Sequence, residues 1–169
     1  MKYISDTNEK INLIQRHFSA LIGKEITGYG FPQGWSEEDK EWFDWMDLPV
    51  RLVFGDITLS ISWTRSDELA LEQGNTLPRY LEESQARWLT DNIDILSSLP
   101  GEMLHSVALG NDKHEDYAFG FPLWNSLILT MQTGLKFVIY NAGDENGFRL
   151  YTKNSPIEAI TCCSLSDPG

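Results

Sequence analysis

Apolar residues near the start of the chain recur every three or four positions, which is the spacing of one side of an α-helix. They are Ile11, Ile14, Phe18 and Leu21. The residues before this run offer helix caps, and these are Ser5, Asp6 and Thr7. Gly23 offers a C-terminal stop. The pattern therefore predicts an amphipathic helix that ends at Gly23.

After this helix the period changes to two, which is typical of strands that turn one face to a core and the other to water. The clearest alternation runs through residues 50–54 and 57–63, which a Gly-Asp turn at 55–56 separates. Residues 24–31 precede this hairpin as a short extended segment, and residues 68–72 follow it as a further strand. The first half thus predicts a helix, a strand, a hairpin and another strand.

The second half of the chain repeats this order of elements. Residues 77–99 have a helical composition, as one helix or two, and Gly101 follows their end. The strands that come next are predicted at 103–109, 124–131, 135–140 and 148–151. Both halves also carry a Gly-Phe-Pro loop, at 30–32 and 120–122. The shared order predicts that the chain contains one unit twice.

The predicted fold class is α+β, with two pseudo-repeated αβββ-type units at about residues 6–75 and 84–153. We expect a mainly antiparallel sheet with helices packed on it, in a single domain of residues 1–169. Residues 157–163 have no counterpart in the first unit and are predicted as a C-terminal strand that adds to an edge or covers one. One continuous sheet, two packed sheets and a barrel all remain open.

The net charge favours some classes of binding partner over others. The formal net charge is -12 at pH 7 and the pI is about 4.5. Direct nucleic-acid binding is not expected, because it depends on Lys and Arg side chains that neutralise phosphates. A basic protein partner is the better electrostatic match, although acidity also serves solubility alone.

The cysteines and the apolar runs indicate the compartment. Cys162 and Cys163 are adjacent, so a bridge between them would be strained, and we expect free thiols. The first residues lack the apolar core of a signal sequence, and no stretch is long enough to cross a bilayer. These features predict a cytoplasmic protein that makes no use of a membrane.

Residues with catalytic or metal-binding chemistry do not form a recognisable motif. His17, His105 and His114 lack the spacing of a zinc site, and phosphate loops and serine-nucleophile elbows are absent from the sequence. Cys162 lies among apolar and hydroxyl neighbours that offer no base to activate a thiol. We therefore predict no catalytic residues, no metal site and no cofactor.

One segment, residues 35–47, interleaves acidic and aromatic side chains, and we call it the acidic–aromatic segment. Ser36 can cap a short helix whose first turn is acidic, and on that helix Trp42, Trp45 and Met46 would share a face. This face could plug the core while the acids are solvated. Alternatively, the rings and carboxylates form a binding surface for a basic protein.

The small size, the acidity, the tryptophan-rich composition and the sheet-dominated organisation resemble the immunity proteins that bacteria make against the toxin domains of competing cells. The resemblance depends on the acidic–aromatic segment and on the duplicated hairpins. It implies a non-enzymatic inhibitor of a cationic toxin domain, such as a nuclease, with carboxylates where phosphates would otherwise lie. The implied partner-binding residues are Glu37, Glu38, Asp39, Glu41, Trp42, Asp44, Trp45 and Asp47.

Two functions of other classes stay open. The first is a small-molecule-binding or regulatory domain with a site between the two halves, and its lining would include Tyr29, Phe31, Phe119 and Phe121. The second is an enzyme that uses carboxylates together with His105. A structural subunit of a larger assembly is a further alternative. The oligomeric state does not follow from the sequence.

Overall fold

The structure is a computed structural model, and it describes residues 1–65, 67–74, 86–90, 93–111, 123–143, 145–152 and 157–165. Within these ranges the chain forms one α-helix and eleven β-strands. The strands make two antiparallel sheets. The α+β class is therefore confirmed, and the choice between one sheet, two sheets and a barrel is settled in favour of two sheets.

Helix α1 (Thr7–Phe18) begins where the sequence predicts it. The carboxylate of Asp6 caps it by accepting a hydrogen bond from the backbone N–H of Glu9 at 2.9 Å. A 3-10 turn (Ser19–Leu21) continues the helix, and Gly23 then takes a positive φ of 79°. The predicted apolar stripe is confirmed, since Ile14, Phe18 and Leu21 are buried.

The first sheet has the strand order β2-β1-β3-β4-β5, and a sixth strand, β6, also pairs with β1. The strands are β1 (Gly28–Ser36), β2 (Glu41–Asp44), β3 (Val50–Phe54), β4 (Ile57–Thr64), β5 (Glu68–Gln73) and β6 (Ala86–Leu89). The predicted hairpin is β3 and β4, with Gly55 at φ 64° in its turn. The predicted Gly-Phe-Pro loop at 30–32 is wrong, because these residues lie inside β1.

The second sheet has the order β10-β9-β8-β7-β11. Its strands are β7 (Leu104–Asn111), β8 (Ser126–Met131), β9 (Leu135–Asn141), β10 (Asn146–Thr152) and β11 (Glu158–Ser164). Strand β11 pairs with β7 and forms an edge of the sheet, as predicted for residues 157–163. The loop at 120–122 lies outside the described residues.

The helical prediction for residues 77–99 is corrected where the structure describes them. Ala86–Leu89 is strand β6, and Asp94–Ser98 is a 3-10 helix of five residues. The strand forms because β1 offers an unpaired edge there, with Pro32 opposite Trp88 and Gly34 opposite Ala86. Residues 75–85 and 91–92 lie outside the described part, and the duplicated unit stays a prediction.

One hydrophobic core joins both sheets and α1. The fully buried Trp63 of β4 donates its indole N–H to the carbonyl of Ile139 on β9 at 3.0 Å. The rings of Phe31 on β1 and Phe148 on β10 meet edge to face, with centroids 5.7 Å apart. The two sheets therefore pack against each other, while α1 contacts β5, β7 and β11.

Candidate binding surface on the β1–β2 hairpin

The acidic–aromatic segment forms a β-hairpin, so the predicted helix is wrong. Ser36 does cap a turn, since its Oγ accepts from the N–H of Asp39 at 3.1 Å and its carbonyl accepts from Lys40 at 2.9 Å. The turn does not propagate, because Lys40 adopts a left-handed φ of 57°. Residues Glu41–Asp44 then return as β2 alongside β1.

One face of the hairpin carries two tryptophans and an arginine. Trp35 and Trp42 are directly opposite each other in the register, and their rings meet edge to face at 5.5 Å. The guanidinium of Arg87, on β6, lies 4.4 Å from the centre of the Trp42 ring. It also donates to Gln33 Oε1 at 2.8 and 3.1 Å, and Gln33 Nε2 donates to Asp44 at 2.8 Å. This face is therefore held in place by paired rings and hydrogen bonds.

The opposite face carries Phe43 and Trp45, whose ring centres are 5.4 Å apart. The Trp45 ring lies directly over Gly34, where an added Cβ would be only 2.2 Å from it. Phe43 is 40 % exposed. Trp42 and Trp45 thus lie on opposite faces of a hairpin, which corrects the prediction that they share one helix face with Met46.

The six predicted acidic residues are all exposed, and they are Glu37, Glu38, Asp39, Glu41, Asp44 and Asp47. Some of them have partners inside the hairpin: Glu37 accepts from the indole N–H of Trp35 at 3.0 Å and pairs with Lys40 at 2.7 Å. In the described part of the chain, the carboxylates of Glu38 and Glu41 accept no hydrogen bond and form no ion pair. These two carboxylates are the ones most available to a partner.

A buried asparagine on the second sheet fixes the base of the hairpin. Asn146 accepts a hydrogen bond from the backbone N–H of Trp63 at 3.0 Å, so it also ties β10 to β4. Its Nδ2 donates to the carbonyls of Leu48 at 2.8 Å and Met46 at 3.2 Å, just after β2. The base of the hairpin is therefore tied to the second sheet by hydrogen bonds.

The described residues with catalytic or metal-binding chemistry lie on different secondary-structure elements. His17 lies on α1 and His105 on β7, whereas His114 is outside the described residues. Burial raises the pKa of Cys162, and burial raises the pKa of Cys163 to about 11. Both thiols are therefore poor nucleophiles at neutral pH. No group of three or more potential metal ligands occurs within the ranges that the structure describes.

Of the four residues predicted to line a pocket between the two halves, the structure describes two, and both lie in the hydrophobic core. Tyr29 and Phe31 are buried in the core, and Phe119 and Phe121 lie outside the described residues. A different cleft, of about 520 Å³, opens between the N-terminal arm, α1 and β5. Its apolar lining residues are Ile4, Leu13 and Leu71, and its polar ones include Lys2, Arg16, His17 and Glu72.

No pattern in the sequence indicates this cleft, because it is created by packing between residues far apart in the chain. Its floor is formed where the arm makes a bridge between Ile4 and Leu69 on β5, far apart in the chain. Burial lowers the pKa of His17, so its imidazole is neutral at pH 7. The cleft thus combines apolar contact area with charged groups of both signs.

Comparison with known proteins returns no relative. No protein-family model, no curated protein and no solved structure matches this chain. Among the described residues, none of the helices has the length and apolar character required to cross a membrane. A function must therefore be inferred from the chemistry of the chain itself.

Proposed function

We propose that this chain is a non-enzymatic binding protein of the immunity type, which neutralises a cationic toxin domain by direct contact through the β1–β2 hairpin. One observation carries the proposal. The hairpin displays six exposed carboxylates around four rings that keep part of their surface in water, namely Trp35, Trp42, Phe43 and Trp45. A surface of this composition suits a basic protein.

The two kinds of side chain supply different parts of the binding free energy. Large rings bury much area at low entropic cost and dominate the strongest contacts of interfaces. Carboxylates steer a cationic partner and form bidentate pairs with its arginines. Trp35 and Trp42 are already paired in the free protein, so little ordering remains to be done on binding.

The proposed mode of neutralisation is competition for a cationic surface. A toxin that acts on nucleic acid needs a basic groove, and the hairpin carboxylates can occupy the phosphate positions in it. The net charge of -12 adds long-range attraction for such a partner. We place this activity in the cytoplasm, where a toxin would have to be neutralised.

Charge reversal at the two uncommitted carboxylates tests the proposal. The partner is first captured on the chain from the cells that produce it and then identified, and its association is followed by stopped-flow fluorescence over a range of salt concentrations. Glu38→Lys with Glu41→Lys should lower the association rate about tenfold at low salt and flatten its salt dependence. Trp42→Ala should mainly speed dissociation.

The matched control reverses two exposed acids at the other end of the first sheet. Glu25→Lys with Asp56→Lys makes the same change in net charge, but Asp56 lies in the turn between β3 and β4, and Glu25 precedes β1 and forms a bridge with Met103. This control should leave the dissociation rate unchanged and reduce the association rate far less. Equal effects of the two double variants would remove the hairpin from the interface, as would a captured partner with an acidic contact surface.

The cleft beside α1 favours a second function, the binding of a small molecule. Its volume of about 520 Å³ is in the range of ligand sites, and it offers an apolar floor with charged groups around it. Ligand-detected NMR with a library of metabolites tests this function. A compound that binds in the cleft should shift the His17 ring resonances. If no compound in the library does so, the result counts against the site.

We also infer that the two sheets contain copies of one duplicated unit. Strands β1, β3, β4 and β5 follow one another across the first sheet in chain order, and β7, β8, β9 and β10 do the same in the second. A superposition that aligns the Gly55 turn with the Gly134 turn should place β5 on β10. Failure of these strands to overlay would contradict the duplication.

A further inference from the structure

Arg51 occupies an unusual position in the middle of the first sheet. It lies on β3, in register with Gly30 of β1 and Ser60 of β4. Its guanidinium carbon is 3.1 Å from the centre of the Trp88 ring on β6. Both side chains reach over Gly30, since a Cβ added there would be 3.6 Å from each of them. One face of the guanidinium is therefore covered by an indole.

The hydrogen-bond donors of this guanidinium are unused in the part of the chain that the structure describes. Arg51 is only 9 % exposed, and its Nε is buried without a hydrogen-bond partner. Lys10, which is also buried, donates to Asp67 and to the carbonyl of Trp124. Arg87 also stacks on a tryptophan, but it donates twice to Gln33.

An uncompensated buried charge is costly for the folded protein. Burial lowers the pKa of Arg51 to about 10, which still leaves the group fully charged at neutral pH. The chain has 25 acidic residues, yet none of those described forms an ion pair with Arg51. The stack on Trp88 compensates part of this cost, but it leaves the donors of the guanidinium without acceptors among the described residues.

We propose that Arg51 and Trp88 form a binding site for a carboxylate group. A guanidinium presents its donors in a planar fork that matches the two oxygens of a carboxylate. The stacked indole fixes the plane of that fork. Nε has no accessible surface, so the two terminal nitrogens are the donors that a small group can reach.

A carboxylate fits the site better than a phosphate does. One buried guanidinium compensates one negative charge, and a phosphate dianion would leave its second charge unpaired. The net charge of -12 also disfavours a dianion more than a monoanion. The carboxylate can belong to a small organic acid or to the C-terminus of a peptide.

NMR titration of the arginine side chains tests the site directly. Acetate is added to the ¹⁵N-labelled full chain at pH 7 and constant ionic strength, with chloride as the balancing anion, and the Nε–Hε signal of Arg51 is followed. We expect a saturable shift with acetate that chloride alone does not give. A glycine tripeptide is then compared in its free-acid and C-terminally amidated forms to distinguish the two sources, and binding of the free acid more tightly than acetate assigns the site to peptide C-termini.

Three variants separate the site from its surroundings, and a saturable change in the total tryptophan fluorescence of the chain follows acetate binding in each of them. Arg51→Met should abolish saturable acetate binding, and Arg51→Lys should weaken it at least tenfold because lysine lacks the planar fork. Arg87→Met removes the other guanidinium that stacks on an indole, and it should leave acetate affinity unchanged. Circular dichroism confirms that each variant is folded.

Several results would overturn the assignment. A wild-type protein without a saturable acetate response contradicts it, as does acetate binding that Arg51→Met retains. Phosphate that binds more tightly than acetate would contradict the choice of carboxylates. The proposed hairpin function is independent of this site, so the Glu38→Lys, Glu41→Lys variant should bind acetate as the wild type does.

Discussion

Three buried polar side chains, Lys10, Arg51 and Asn146, differ in whether their polar atoms have hydrogen-bond partners. Lys10 is fully buried, and its ammonium donates to Asp67 and Trp124, although burial still lowers its pKa. Asn146 is equally buried and is satisfied on both its oxygen and its nitrogen. Arg51 alone among these three lacks such a partner, which is why it points to a ligand.

Replacement of Asn146 should destabilise the base of the hairpin. Its replacement by alanine leaves the backbone groups of Trp63, Met46 and Leu48 without their side-chain partner. The carbonyl of Met46 keeps its bond from the backbone N–H of residue 146, so two groups lose their partner. Because each unsatisfied buried group costs about 1–3 kcal/mol, we expect Asn146→Ala to lower the free energy of unfolding by about 2–6 kcal/mol. Urea denaturation measures this loss.

The matched control is Asn8→Ala, because Asn8 is exposed on α1. It should change the free energy of unfolding by less than about 0.5 kcal/mol. A similar result for both asparagines would show that Asn146 does not hold the hairpin base to the second sheet.

At the scale of elements, the sequence correctly predicted the helix and strands whose capping, turn and apolar residues lie close together in the chain. Helix α1 has its cap and its apolar stripe within residues 6–21, and the β3–β4 hairpin has its turn in Gly55 and Asp56. The alternation of apolar and polar residues at 68–72 likewise predicted strand β5 correctly. In each case the residues that decide the structure are neighbours in the sequence.

The acidic–aromatic segment was mispredicted because the deciding contacts come from elsewhere. A capped turn can begin either a helix or a hairpin. Here the pairing of β2 with the edge of β1, together with the contact between the Trp35 and Trp42 rings, selects the hairpin. Strand β6 depends in the same way on pairing with β1. Neither the Arg51–Trp88 stack nor the cleft could be predicted, since both join residues far apart in the chain.

Gly34 sets the shape of the hairpin. A methyl group there would lie 2.2 Å from the Trp45 ring, which would have to move. We expect Gly34→Ala to destabilise the protein by about 1–3 kcal/mol and to weaken partner binding. Thermal unfolding should show a fall in Tm of roughly 2–4 °C per kcal/mol.

Gly28→Ala is the control on the same strand, since its added Cβ would lie 3.8 Å from Val53, which is an ordinary contact. This variant should keep the wild-type Tm within a few degrees and keep the affinity for the partner. If Gly34→Ala unfolds and binds like Gly28→Ala, the Trp45 ring is not fixed on Gly34.

At the scale of the whole molecule, two packed sheets and α1 share one hydrophobic core, and the β1–β2 hairpin extends from the first sheet. Among the strands that the structure describes, β2 is the outermost of the first sheet on its side, and three of its four residues are exposed. The net charge of -12 draws a cation from a distance, and the hairpin adds rings that can hold it. The proposed role uses both properties together.

Hydrogen–deuterium exchange of the chain with and without its captured partner tests the central claim most directly. We predict that binding slows amide exchange in residues 35–47, while the turn at 55–56 exchanges as it does in the free protein. Protection confined to other surfaces, with unchanged exchange in residues 35–47, would contradict the claim that this hairpin holds the partner.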